Sequence, residues 1–319
     1  MSVIFYYLHA TITANNRAFM NYNIKHLILG AVAVSTILVG CTDPTPDGND
    51  PNGKVKIPPD IINVGKTFDV NGQIFSIPSP MQTAMLIKDS GADFDDSYLN
   101  PKDNADGYST MFSKSMNLGV YGADLGYCTI YENNNASLAY LTSVRTLASE
   151  VGVENAFNES LIERFSANST NQDSMLVFIS EAYQSADNYL KTNDKSDVAG
   201  LILAGGWIEA LHFSCRVALD GNKALQARIG EQKSTLKSLI GLLNSLESSG
   251  DDFEEFVYGM EDLYGAFDQV SSSYKYIEPQ TYADKKLTIF NSTNDVEISD
   301  DVLAEIASQV AELRDLITQ

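Results

Sequence analysis

The chain has 319 residues, with 42 acids against 21 bases and a formal net charge of −21. Nucleic-acid binding relies on Lys and Arg neutralising phosphates, so this balance excludes nucleic acid as a partner and disfavours electrostatic docking on anionic lipid. A hydrophobic share of 44%, with 16 Tyr and 14 Phe, supports a folded core and excludes disorder for most of the chain.

Residues 21–41 hold the three parts of an export signal in order. A polar start carries Lys25 and His26, an apolar run extends from Leu27 to Val39, and Gly40 precedes Cys41. The run is shorter than the ~20 apolar residues a stable transmembrane helix needs, as expected of a signal that is removed. A cysteine directly after Leu38-Val39-Gly40 is the lipoprotein form of this signal, in which the sulfur takes up diacylglycerol before cleavage. Residues 1–40 are therefore expected to be a signal peptide and Cys41 the lipidation site, with translation expected to start at Met20. From Cys41 onward the chain has 42 acids and 19 bases, a net charge of −23.

Residues 41–60 follow as a flexible acidic tether rich in Pro, Gly and Asp, a composition that cannot build a core. Asp43, Asp47 and Asp50 resemble the acidic export signals of Bacteroidetes lipoproteins. The expected location is the outer membrane, with the domain periplasmic or surface-exposed.

Residues 61–319 read as a single helical domain. Phe68 to Phe75 predicts a small hairpin with Asn71-Gly72 supplying the positive φ of its turn, and a second is expected to pair Leu287–Phe290 with Val296–Ile298. Apolar residues at three- and four-residue steps predict helices along Met175–Tyr189, Leu225–Leu246 and Phe253–Val270. A last helix begins after Ser299, with Asp300 and Asp301 favouring its start. Two more differ in kind. Residues 112–131 carry Gly119, Gly122 and Gly126, and residues 197–219 are apolar nearly all round, with Gly200, Gly205 and Gly206. A helix apolar on every side belongs at the centre of a bundle. Glu209, His212 and Arg216 argue against its crossing a membrane. The fold class is all-α, a compact multi-helix bundle of about eight or nine helices with one or two small peripheral β-hairpins.

Candidate chemistry gathers on those two central helices. Gly205, Glu209, His212 and Arg216 share one helical face, and a carboxylate, imidazole and guanidinium together make either an acid–base or anion-binding group or a buried ion network. Asn117, Tyr121, Asp124 and Cys128 share another face, where Asp124 is either a pocket carboxylate or one bonded to a helix end or to Tyr hydroxyls. The candidate ligand pocket is Tyr121, Asp124, Trp207, Glu209, His212 and Arg216. Cys128 and Cys215 are expected to be buried thiols, with a single disulfide between them as the alternative. The acid-rich loop from Asp93 to Gly107 does not align with an EF-hand and reads as a solvated loop. No metal site and no cofactor are expected. Nucleophile elbow, P-loop, dinucleotide and zinc-peptidase motifs are absent, and the SxxK matches at Ser234–Lys237 and Ser272–Lys275 read as helix surface.

At Ile77-Pro78-Ser79-Pro80, along Asn117–Leu125 and at Gly205–Glu209, the chain resembles uncharacterised helical lipoproteins common in Bacteroidetes. The resemblance implies an envelope location and brings no activity with it. Asp173-Ser174-Met175 looks like an O-glycosylation acceptor of those bacteria. The expected function is a lipid-anchored module, attached to a membrane through Cys41, that binds a small ligand or an envelope protein. The alternative is a hydrolase-like envelope enzyme using acidic residues in a pocket of the bundle.

Overall fold

The computed structural model describes residues 80–154, 195–247, 250–282 and 287–319, the backbone at 68–70 and 73–75, and residues 163, 165, 167 and 177. Cys41, the signal peptide, the tether, all of the 175–189 stretch but residue 177, and the Asp173-Ser174-Met175 acceptor lie outside the described residues.

Eight α-helices account for most of what is described: α1 Pro80–Asp89, α2 Met111–Ile130, α3 Asn134–Glu150, α4 Ser196–Leu219, α5 Lys223–Gly230, α6 Lys233–Leu243, α7 Asp251–Phe267 and α8 Asp300–Thr318. Several begin on side-chain caps, which supply acceptors for amides that have no partner inside the helix. Thr110 accepts from the Ser113 amide and Ser113 reaches back to the Thr110 amide, a reciprocal box that starts α2. Ser299 accepts from the Val302 amide and starts α8 as its sequence predicts, with Asp300 and Asp301 in the first turn.

The architecture is the expected all-α bundle with small antiparallel strand pairs at its edge. Helix α4 is the axis, touched by α1, α2, α5 and α8. It is the one described helix long and apolar enough to cross a membrane, but most of it is buried inside the bundle. Helix α8 packs on α4 and α7, and α3 covers the other side of α2. Phe112 at the start of α2 meets Phe253 edge-on at 6.1 Å and Phe256 at 6.0 Å, joining α2 to α7.

The α2–α4 contact is backbone against backbone. A Cβ on Gly119 would lie 1.9 Å from the Ile202 carbonyl oxygen, and one on Gly205 would lie 2.0 Å from that of Met116. Only glycine fits either position. Gly126, which the sequence groups with Gly119, has no such neighbour; its nearest contact is the Met81 Cα at 4.0 Å.

Four expectations change. The Leu225–Leu246 stretch is two helices, α5 and α6, broken at Glu231-Gln232. The first hairpin forms as expected, β1 Phe68–Val70 against β2 Gln73–Phe75. The second pairs otherwise. Strand β3 (Ser271–Lys275) pairs with β6 (Thr293–Glu297), and β4 (Gln280–Tyr282) with β5 (Leu287–Ile289), so one hairpin is nested in the other. Leu287–Ile289 and Val296 therefore belong to different pairs. The Phe253–Val270 helix ends at Phe267, and Ser272–Lys275 lies on a strand and not on a helix surface.

Because the contact at Gly119 and Gly205 meets fixed backbone, neither helix can yield to an added methyl without moving bodily. Gly119→Ala and Gly205→Ala are each expected to cost about 3 kcal/mol, at the upper end for overpacking. Gly241→Ala, with open space around it, should be neutral or slightly stabilising. Thermal unfolding of the three variants checks this; an unchanged midpoint for Gly119→Ala would mean the helices are further apart.

Candidate functional site

Side chains on opposite sides of α4 form two separate features. The first is a closed polar cluster between α2, α4 and α8. Glu209 is fully buried and its partner is Arg314 on α8, whose Nε lies 2.6 Å from Oε2 and whose Nη2 lies 2.8 Å from Oε1. A planar guanidinium gripping both oxygens is the strong form of this pair. The same Nη2 donates to the Tyr98 carbonyl at 3.2 Å.

Asp124 lies beside this pair and is also fully buried. As a carboxylate it finds no side-chain donor for either oxygen among the described residues, and only the Asn100 backbone favours its charged form besides Arg314. Burial, and then the charge of Glu209, push its pKa well above the ordinary carboxylate range, against the pull of Arg314. Protonated, Asp124 donates to Glu209 and its apparent lack of a partner disappears. Burial also raises the Glu209 pKa, but the charge and hydrogen bonds of Arg314 oppose the rise. The proton therefore sits on Asp124, and Glu209 keeps its charge against Arg314. Burial works against the charge on Arg314, yet Glu209 outweighs it and raises the guanidinium pKa.

Tyrosines ring the cluster, and they bind backbone in place of the carboxyl. The Tyr121 hydroxyl donates to the Pro101 carbonyl at 2.8 Å, and that of Tyr140 to the Asn100 carbonyl at 2.9 Å. Asn100 turns inward, giving its side-chain amide to Tyr108 at 2.9 Å and to Asn117 at 3.3 Å. Asn117 in turn donates to the Ile317 carbonyl near the end of α8. The acid-rich loop is thus fastened to the bundle by its backbone while Asp93, Asp96, Asp103 and Asp106 stay exposed. No group of three or more metal-ligating side chains occurs among the described residues.

The candidate residues therefore separate. Tyr121, Asp124 and Glu209 share the closed cluster, and His212 lies at its edge next to Arg314 and Arg216. Burial, with those two cations, pulls its pKa down to about 3, so His212 is neutral. Arg216 does not pair with Glu209. It is exposed, with its guanidinium 5.4 Å from the centre of the Tyr98 ring. Cys128 and Cys215 are buried free thiols, and burial pushes Cys215 up to about 12, which leaves no thiolate for chemistry.

Trp207 faces the other way. It lies at the base of a half-open groove of about 580 Å³ between α1, α4 and the α5–α6 elbow. Ala210, Leu211 and Ser214 continue the base, Met85, Leu86, Leu225 and Ile229 form apolar walls, and Gln82, Asp89, Arg228, Glu231 and Gln232 form the rim. The Trp207 indole N–H donates to Gln232 at 3.4 Å, and Arg228 bridges to Glu231 at 2.6 Å. This volume falls inside the ~300–1,000 Å³ range of small-molecule sites.

Sequence reasoning missed Arg314 and the groove. Arg314 is the sole base between Asp300 and Gln319, four residues after Val310 and three before Ile317 on the apolar line. That position was its signal. The groove has none, because α1 and the elbow that wall it are far apart in sequence. Compared with family models, curated proteins and solved structures, the chain matches none.

Two outcomes follow from the cluster. Arg314→Met leaves Glu209 buried without a counter-charge and should cost about 3–5 kcal/mol, with Glu209→Gln in the same chain restoring much of it. Equal loss in the single and double variants would show that the pair does not govern stability. His212 has a depressed folded pKa, so its contribution is present above pH ~6.5 and is lost as pH falls toward 3. His212→Gln should therefore lose about 3 kcal/mol less than the parent between pH 7 and 4. Chemical denaturation at both pH values measures this.

Proposed function

We propose that the chain is a lipid-tethered binding module of the bacterial cell envelope, and that the groove over Trp207 takes a small amphipathic ligand. The observation that carries this reading is the groove, an apolar slot with a polar rim at both walls and a tryptophan at its base. Such a lining desolvates an apolar body while orienting a polar end. The signal-like run ending in Cys41 supports the tether, and the likeness to Bacteroidetes envelope lipoproteins supports an outer-membrane setting. The acids a hydrolase would need, Asp124 and Glu209, are enclosed on the opposite side of α4, where Glu209 is committed to Arg314. That favours binding over catalysis.

Trp207 is the single tryptophan of the chain, so it reports on its own groove. Titration with anilinonaphthalene sulfonate, an amphipathic probe, should change its emission saturably. Leu86→Asp places a charge on a wall residue that is 40% exposed, and it should weaken the probe about tenfold with little effect on folding. Equal binding by parent and variant, or no saturable change, rejects the groove as the site.

The tether has its own test. Cells making the parent chain should yield a diacylglycerol-modified N-terminal Cys41 by mass spectrometry, and Cys41→Ser should abolish the modification and release the protein from the membrane fraction. A Cys41→Ser chain that stays membrane-bound at the parent level rejects the anchor.

A further inference from the structure

Three charged side chains line the groove over Trp207, and they do not cancel. Asp89 and Glu231 are acids and Arg228 is the base. Arg228 reaches Glu231 at 2.6 Å from three residues away on the same elbow, so those two neutralise each other. Asp89, the last residue of α1, is exposed and has no hydrogen-bond or ion-pair partner among the described residues.

The cations around Asp89 are committed elsewhere. Lys88 donates to the Ile130 carbonyl at 2.7 Å and to Glu132 at 3.1 Å, and takes no part in the lining. Lys223 and Lys233, which begin α5 and α6, pair with Asp300 and Asp268. Asp89 is therefore the one lining charge without a counter-charge among the described residues.

The other polar groups of the groove give it a direction. Gln82, Leu86 and Asp89 recur at four- and three-residue steps with Met85 beside them, so α1 presents them in a line about 10 Å long. The start of α1 sits against α4 next to Trp207, where a Cβ on Gly206 would lie 3.3 Å from the Pro80 Cγ. Asp89 is at its other end. Around Trp207 the polar groups are spent on one another: the indole N–H donates to the Gln232 side chain, whose amide donates to the Arg228 carbonyl at 3.4 Å. Ser214 on the base returns its hydroxyl to the Ala210 carbonyl of its own helix.

We infer that the ligand of this groove is an amphipathic amine, whose apolar body lies over Trp207 between the α1 and α5 walls and whose ammonium end meets the Asp89 carboxylate. The inference rests on the groove being the binding site and adds the charge of what it takes. An ammonium group meets a carboxylate of opposite sign and breaks no internal bond. An anionic end would have to displace Glu231 from Arg228, with Asp89 repelling it. The net charge of −21 acts in the same direction, drawing cations toward the chain.

The test uses the whole chain with Cys41→Ser, which carries no lipid to compete for the groove. Octylamine, octanol and octanoate share one apolar body and differ in the charge of its end at neutral pH. Each is titrated against Trp207 emission. Octylamine should bind about fivefold more tightly than octanol, the most an exposed ion pair ordinarily adds, and octanoate more weakly than either. Asp89→Asn, at an exposed position, should leave octanol binding unchanged and bring octylamine down to its level. Sodium chloride at about 1 M, which shortens the screening length to ~3 Å, should narrow the same gap in the parent. Anilinonaphthalene sulfonate, held by its rings, should be displaced by octylamine at lower concentration than by octanoate. Three results overturn the inference: octanoate binding as tightly as octylamine, equal binding of octylamine and octanol, or a preference for octylamine that Asp89→Asn leaves intact. In each of these the groove still takes an apolar body, and its role as a binding site stands. No saturable change with any of the three ligands overturns both.

Discussion

The contact between Gly119 of α2 and Gly205 of α4 sets the geometry on which the rest of the molecule depends. With no side chain between them, the two backbones meet at Ile202 and Met116, leaving no room for a Cβ on either glycine. About one turn further along each helix come Asp124 and Glu209. Helices this close bring the two carboxyls into the same dry seam. Two charges there would repel at short range in a medium that screens poorly, so one must be neutral and the other needs a cation. Arg314 supplies the cation and ties the last helix of the chain to its centre. The close approach and the ion pair are thus one design: the first creates the problem and the second resolves it.

Trp207 and Glu209 are two residues apart on α4, which places them on opposite sides of the helix. This spacing explains why the cluster and the groove are separate. The Glu209 side is sealed by α8 and by Tyr121, Tyr140 and Ser143, which hold the Asn100–Lys102 backbone, so its polar groups are spent on holding elements together. On the Trp207 side α1 and the α5–α6 elbow leave a gap, and the polar groups there point to solvent. A helix apolar all round would ordinarily be buried on every side. Here the bundle covers α4 incompletely, and the gap is where recognition has room.

How much of this was legible depends on range. Short-range features carried through: the Ser299 cap, the pairing of Phe68–Val70 with Gln73–Phe75, and the two glycine-bearing helices, because each is decided by residues within a turn or two. The pairing of Glu209 was not. His212 and Arg216 lie on its own face at helical spacing, but a long side chain reaches across to a facing helix as easily as along its own, and α8 brings a guanidinium in from 105 residues away. Tyr121 and Asp124 were legible as buried polar groups, but not the destination of the Tyr121 hydroxyl, which is a loop carbonyl. The strand pairing failed for a related reason. Asn291-Ser292-Thr293-Asn294 has turn residues, yet the chain runs extended through Thr293 because β3, well before it in the chain, offers it a ladder.

Net charge is the plainest case of a whole-chain number hiding local structure. A balance of −21 argues against any anionic surface as a partner, and for the chain taken as a uniform sphere the argument is sound. Screening, however, limits each charge to a reach of ~10 Å at ordinary ionic strength, so a surface is felt patch by patch. At the α5–α6 elbow folding sets bases beside acids: Lys223 meets Asp300, Arg228 meets Glu231 and Lys233 meets Asp268. The exposed first turn of α7 instead gathers Asp251, Asp252 and Glu254. An anionic group is therefore repelled most at the α7 turn and least at the elbow, where opposite charges cancel within a screening length, so the total understates the repulsion at one place and overstates it at the other.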